Sequence, residues 1–286
     1  MKDGLGRRVF IGATPWIGVI ALWYGVRWSG LVNVALLPAP HQVAAKAVEL
    51  LLHDNLLLNI YASTRRVFFG VILGIALAVP VGFLLGWYRT ARTFADPMIN
   101  FFRALPPIAL IPLVIVYFGV GELAKLVILV YASFFSGVIV MYEGVSQITP
   151  LYIRVAQTLG AGELEIFRKV IIPLTVPHIL TALRVALGVA WATLVASELI
   201  AAQRGLGAMI QNASTYFLLD VIYVGIICIG CIALIMDLIL RRSAPAFWCG
   251  RNGLLHERGA KRQDARPVRS CVARLRYRER QTERRR

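Results

Sequence analysis

From residue 67 to 88 the chain reads VFFGVILGIALAVPVGFLLGWY, without one charged side chain. About 20 consecutive apolar residues suffice for a helix to cross the hydrocarbon core of a bilayer. Hydrocarbon offers the backbone no hydrogen bonds, so such a run must satisfy its own amides. Five further segments fit the same pattern: 9–26, 99–120, 124–142, 178–201 and 221–240. Those at 9–26, 99–120 and 124–142 are shorter or carry proline or charge. Composition agrees, because 58% of residues are hydrophobic and only 16% charged, where a soluble domain carries about a quarter charged residues. The expectation is an all-α polytopic membrane protein with about six transmembrane helices over residues 1–242, the first of them uncleaved.

Between the first two spans, LLPAP leads into an amphipathic stretch at 42–61, with Val43, Ala47, Leu50, Leu51, Leu57 and Leu58 apolar. Lys46, Glu49, His53 and Asp54 interrupt it, so it reads as an interfacial helix, not a span. Basic residues set orientation. With the N-terminus inside, the inner ends hold ten Lys and Arg against six outside. This places both termini in the cytoplasm and fits an even number of spans.

Within the spans, Gly70/Gly74 and Gly82/Gly86 are small residues one turn apart, a spacing that lets helix backbones approach closely. The 99–120 segment holds Arg103, Pro106, Pro107 and Pro112. Proline breaks the helical ladder, and the freed carbonyls must face protein or a water-filled cavity. Arg103, read as one turn inside the inner end, either snorkels to the headgroups or stands beside a transport path. Arg184 and Glu198 lie too far apart on one helix to pair with each other. Glu198 is therefore expected to face the bundle interior or a cavity. Asn212, in the Gly-punctuated loop after it, is a further polar candidate. Arg103, Pro106, Pro107, Glu198 and Asn212 are the candidate pathway residues.

The segment at 143–173, EGVSQITPLYIRVAQTLGAGELEIFRKVIIP, is a polar island between two spans. Thr149-Pro150 is a helix start. Tyr152, Val155, Ala156 and Leu159 then share one face, and Gly160 supplies a left-handed cap. A second short helix at 163–171 has Leu164, Phe167, Val170 and Ile171 on its apolar face, and Pro173 is read as its terminator. Two short amphipathic helices at a glycine turn make a knob suited to a groove on a partner.

This island resembles the cytoplasmic loop of the permease subunits of binding-protein-dependent ABC importers, whose pattern is EAA-x3-G-x9-I-x-L-P. Reading back from Pro173 gives Ile172, Val170, Gly160 and Arg154-Val155-Ala156. The leading Glu of the pattern is replaced by Arg154 and the first Ala by Val155. LLPAPHQV, RALPPIALIPLVIVYFGVGELAK and TALRVALGVAWATLVASELIAAQRGLGAMIQNAS resemble the nitrate/sulfonate/taurine branch of these permeases. The resemblance implies a MetI-like fold and a pathway for a small anion, formed with a second permease copy. It also implies ATPase subunits bound at the loop, an extracytoplasmic binding protein that delivers substrate, and a place in a bacterial inner membrane. Arg154, Ala156, Leu159, Gly160, Ala161, Leu164, Phe167 and Pro173 are the residues it assigns to ATPase coupling.

The chain carries no G-x4-G-K-[ST] to cradle ATP phosphates. Energy must then come from a partner or from an ion gradient, and an ion-coupled secondary transporter is the alternative. Such transporters often carry internal repeats and paired broken helices, and the sequence shows no convincing repeat. No catalytic constellation, metal-ligand spacing or cofactor motif is present. Cys228 and Cys231 sit in an apolar run and read as small packing residues.

Residues 243–286 differ in character. They hold 13 of the 31 Lys and Arg and contribute +9 to a net charge of +16. Three readings compete: a segment attracted to anionic headgroups, a nucleic-acid binder, and read-through in a shifted frame. The last is preferred because family members usually end soon after the sixth span. Nucleic acid is not expected as a partner, and the segment is expected to be disordered.

Overall fold

The computed structural model describes residues 3–29, 36–201 and 203–259, and the described residues form helices and connecting turns. α1 (Asp3–Trp28) and α2 (Pro40–His53) precede the long helix α3 (Leu56–Trp87). α4 (Arg89–Ala104) and α5 (Pro107–Phe118) are two arms of one bent element, and α6 (Glu122–Ser146) follows. The polar island gives α7 (Pro150–Thr158) and α8 (Glu163–Ile166), which runs through a π turn (Phe167–Ile171) into α9 (Ile172–Ala201). α10 (Leu206–Thr215) and α11 (Leu219–Gly259) complete the order. Packing divides the chain into two compact units at residues 235/236.

Among the described residues four helical stretches are long and apolar enough to cross a membrane: Leu56–Trp87, Glu122–Ser146, Glu163–Ile200 and Leu219–Arg242. The α4–α5 pair makes a fifth if it counts as one span. The expected six is therefore not reached by length and hydropathy alone. The expected first span lies within α1, part of which falls outside the residues whose side chains are described.

The inner structure is built on α3 against α6. The two run in parallel with a constant offset. Gly70 faces Leu129 and Gly74 faces Ser133, while Gly82 faces Met141 and Gly86 faces Val145. α6 returns the device through Gly137, which seats Ile75 and Ala78. Lipid tails give helices no hydrophobic reason to associate, so close van der Waals contact carries the packing. The expected GxxxG packing role is thus borne out.

Three expectations need correction. The amphipathic stretch at 42–61 is not one helix: α2 ends at His53, and α3 starts at Leu56. Val43 and Leu50 are buried with Leu206, Ala213, Val221 and Val224 from α10 and α11, so α2 is a packed element as well as an interfacial one. Residues 99–120 are not one straight span, because α4 and α5 meet at 89°. Pro106 and Pro107 donate no amide hydrogen bonds, and each disfavours helical geometry in the residue before it; Leu105 and Pro106 are extended. Finally, α11 continues as helix from residue 243 to Gly259, where disorder was expected. Extending a formed helix adds one hydrogen bond per residue and escapes the cost of nucleation. Residues 260–286 lie outside the described residues.

The glycine seam gives a direct test. A Cβ on Gly74 would lie 2.5 Å from Ser133 Cβ and 3.0 Å from the Val130 carbonyl oxygen. Gly74→Val is expected to cost about 1–3 kcal/mol by overpacking, read as thermal unfolding in detergent. Gly25→Ala, with nothing within 4 Å, should leave the transition unmoved.

Candidate functional site

Three places on the molecule concentrate the polar and irregular features. At the end of α7 the chain forms a Schellman cap. The Ala161 amide donates to the Ala156 carbonyl at 3.0 Å and the Gly160 amide to Gln157 at 2.9 Å. Gly160 takes φ +81°, the left-handed conformation expected of it. Thr149 occupies the N-cap position, but its side chain makes no capping bond. The apolar face of α7 has no cover among the described residues: Tyr152, Val155 and Leu159 are exposed, Leu159 at 81%. Arg154 is exposed and Ala156 and Ala161 are half-buried, while Leu164 beyond the turn is 79% exposed. These residues form one continuous apolar and basic surface.

Phe167 and Pro173 behave differently from the expectation of a separate second helix. Phe167 turns inward, with its ring edge-on to Phe83 at 5.6 Å and Trp87 at 5.9 Å, at the end of α3. Pro173 does not terminate a helix; it sits in the first turn of α9. A proline ring clashes with the carbonyl four residues back. Here the preceding turn is widened to π geometry, with the Ile172 amide bonded to the Phe167 carbonyl, and the helix passes through. The extra residue in that turn puts Ile166 and Ile171 on the inner face, where both are buried. Sequence periodicity puts Leu164, Phe167, Val170 and Ile171 on one face; Ile171 is indeed buried, but Leu164 is exposed and Ile166 takes the inner place, because a 3.6-residue pattern does not anticipate a π turn.

The second place is a buried ion network joining four elements. Glu198, 1% exposed, accepts from Arg66 Nη1 at 2.5 Å, from the Gly207 amide at 2.9 Å and from Ser63 Oγ at 2.8 Å. Arg66 grips Glu122 with two bonds, Nε at 2.7 Å and Nη2 at 2.6 Å, and donates to the Arg204 carbonyl. Lys125 also pairs with Glu122, at 3.2 Å. The first amides of α10 are capped from outside the helix: Gly205 by Asn59 Oδ1 at 3.0 Å, Leu206 by Ser63 Oγ at 2.9 Å, and Gly207 by Glu198. A carboxylate at a helix N-terminus also suits the helix dipole. Gly205, at φ +137°, lies so close that a Cβ would meet the Glu198 carboxylate.

Glu198 thus faces the bundle interior, one of the two environments expected of it, with its carboxylate occupied by protein groups. Arg66, one of the six basic residues counted on the outer side in the sequence, and Ser63, Asn59 and Glu122 are site residues that sequence reasoning misses. The signal was an acid inside an apolar span with no partner on its own helix, which requires a cation from another. The basic residue just before the 67–88 run was the available donor.

The third place is a cleft of about 310 Å³ at the α4–α5 bend, lined by Arg103, Pro107 and Phe102 with Tyr131 and Phe135 of α6 and Val185 and Val189 of α9. Tyr131 donates to the Phe102 carbonyl at 2.5 Å, tying down the end of α4. Arg103 and Pro106 are exposed. Asn212 is exposed on α10 and meets neither Arg103 nor Glu198 through any hydrogen bond among the described residues.

The comparisons with known proteins agree on one family. Residues 63–248 match the model of the binding-protein-dependent transport system inner membrane component. A probable ABC transporter permease of Brucella melitensis is 48% identical over 219 residues, covering 77% of this chain and 88% of that protein. The taurine transport system permease protein TauC of Escherichia coli is 36% identical over 242 residues, covering 83% and 88%. An inward-facing structure of the MetNI methionine ABC transporter superposes with a TM-score of 0.57 at 20% identity, over 67% of this chain and 95% of the other, a likeness of fold. These matches support an importer subunit and not the ion-coupled alternative.

The network gives its own test. Replacing Glu198 by Leu removes the buried acceptor of Arg66, which keeps Glu122 and the Arg204 carbonyl, and leaves the Gly207 amide uncapped; breaking one partner of a buried pair costs up to about 3–5 kcal/mol. E198L is expected to lower the unfolding temperature and open residues 203–206 to protease. An unchanged cleavage pattern would show that the cap is dispensable. From the matched family and the MetI-like architecture together, the chain belongs to the binding-protein-dependent transport system inner membrane components, as the membrane-spanning permease subunit of an ABC importer.

Proposed function

We propose that two copies of this chain form the translocation pathway for a small anion of the sulfonate, taurine or nitrate type, driven by ATPase subunits bound at α7. Family membership implies an ATPase and a substrate-binding protein as partners. The substrate class is supported by relatives named for taurine, aliphatic sulfonates and bicarbonate. On this reading the protein lies in a bacterial inner membrane with both termini cytoplasmic, residues 1–242 form the permease domain, and a binding protein delivers substrate from outside.

The observation that carries the coupling role is the uncovered apolar face of α7 beside a left-handed Gly160. Tyr152, Val155 and Leu159 on α7 and Leu164 beyond the turn are exposed, with nothing among the described residues to bury them. A helix with such a face fits a groove on a partner. Arg154 stands at the rim in place of the acid of the family pattern, so the matching ATPase surface is expected to offer an acidic or neutral contact there. Phe167 and Pro173 act behind the surface: Phe167 joins the turn to α3, and Pro173 keeps the π turn that leads into α9. A displacement of α7 is thereby passed to two spans at once. Arg103, Pro106 and Pro107 line the pathway at the bend, Glu198 positions α10, and Asn212 is offered to the outer side.

The test is a substitution at the turn. Gly160 has open space around it, so Gly160→Val acts through its backbone alone, where a left-handed L-residue costs about 1–2 kcal/mol and a β-branched one is least tolerated. With the cognate ATPase present, G160V is expected to abolish ATP-dependent anion uptake while its amount in the membrane stays at the wild-type level. Normal uptake by G160V would refute the docking assignment.

A further inference from the structure

We infer that Arg103 is the group that recognises the substrate's anionic end halfway across the membrane. The inference rests on the anion-importer reading above and adds the residue, its depth and the charge that it selects.

Depth follows from contacts along α6. Arg92, near the start of α4, donates to Ser146 Oγ at 3.0 Å and lies over the Tyr142 ring at 4.7 Å, both at the inner end of α6. Ten residues later Phe102 stacks on Phe135 at 5.6 Å, and its carbonyl accepts from Tyr131. α4 thus runs antiparallel to α6 and delivers Arg103 to the middle of Glu122–Ser146. The sequence reading placed Arg103 one turn inside the inner end; the helix in fact starts at Arg89, about 21 Å earlier along its axis at 1.5 Å per residue. That is too far for the side chain to snorkel back to the inner headgroups.

A guanidinium at mid-depth costs about 2.5–3.5 kcal/mol on insertion scales unless it faces water or a counter-charge. Among the described residues no carboxylate pairs with Arg103. It is the one charged residue lining the cleft, and no acid lines it with Arg103. The rest of the wall is aromatic and apolar, with Phe102, Tyr131 and Phe135 beside the cation. Pro106 removes the amide that would bond the Phe102 carbonyl in a helix, and that carbonyl accepts from the Tyr131 hydroxyl and the Leu105 amide instead. With Arg103 exposed in an open cleft, the arrangement is a half-site of net charge +1. A guanidinium fork matches the paired oxygens of a sulfonate, carboxylate or similar oxyanion, and the aromatic walls suit a short organic remainder. One cation without an acid selects a group carrying one negative charge and repels cations. A single fork in an open cleft also allows release.

The test uses the full importer with its ATPase and binding protein in proteoliposomes, with labelled ethanesulfonate, taurine and nitrate as probes. Wild-type uptake of one of these anions is read first; uptake of none would overturn both this inference and the anion-importer reading. Given such uptake, R103Q is expected to lower it at least tenfold at an unchanged amount of incorporated permease, and R103K to restore part of it. Wild-type uptake by R103Q would overturn the role of Arg103 alone. A second measurement covers the case in which R103Q fails to incorporate. Arg103→Cys should react with an anionic, membrane-impermeant thiosulfonate at least tenfold faster than Ile226→Cys on the exposed face of α11, above the background of the native thiols. The transported anion should slow that reaction. Labelling no faster than at Ile226, or unaffected by the anion, would place residue 103 away from the substrate and overturn the inference.

Discussion

The end of this permease where α3 begins and α9 closes depends on one buried ion pair, Arg66 with Glu198. Each charge would be costly alone in a low-dielectric interior, and their attraction offsets that cost only when the remaining donors and acceptors are also satisfied. Here they are. The Glu198 carboxylate takes two further bonds, from Ser63 and Gly207, and Arg66 spends its other donors on Glu122 and the Arg204 carbonyl. The pair therefore joins α3, α6 and α9 and caps α10 in the same stroke. Glycine at 205 and 207 is what lets α10 come close enough, because a Cβ at either position would collide with Glu198.

The opposite end is held by different means. There the α3–α6 seam relies on small residues, and the α4 arm is attached through Arg92 to Ser146 and the Tyr142 ring. Packing of this kind transmits displacement as rigid contact, since side chains at native density have little room to yield. α8, the π turn and α9 form one continuous helix from Glu163 to Ile200. Force applied at the α7 turn therefore enters a span directly, and Phe167 brings the end of α3 with it. An ion-fastened end and a densely packed opposite end suit the coupling proposed at α7.

Much of this was legible in the sequence. The apolar runs gave helices because a bilayer leaves no other choice for them. GxxxG spacing gave the seam, and Gly160 gave the left-handed cap, since in both cases a single residue type meets a steric demand. What was not legible depends on contacts between distant residues. Arg66 and Glu198 are 132 positions apart, and no local pattern pairs them. The π turn was missed because Pro173 has two outcomes, termination or a widened turn. Tertiary packing of Ile166 and Ile171 chose the second. The inner start of α4 was misplaced because RTARTFADP is too polar to be read as part of a span, yet it folds as one arm against α6.

That misplacement bears on the chemistry of the bend. If a span is taken to start at residue 99, Arg103 is a headgroup residue and the prolines after it are a defect. Once α4 is seen to begin at Arg89, both features move to mid-depth and explain each other. On the proposed reading the open cleft hydrates the cation, which removes much of its penalty. The cation in turn gives the hydrated cleft a charge preference that aromatic walls lack. A straight apolar helix in the same position would provide neither. On the proposed reading, the LPP break is therefore the feature that gives a packed bundle a selective place halfway through.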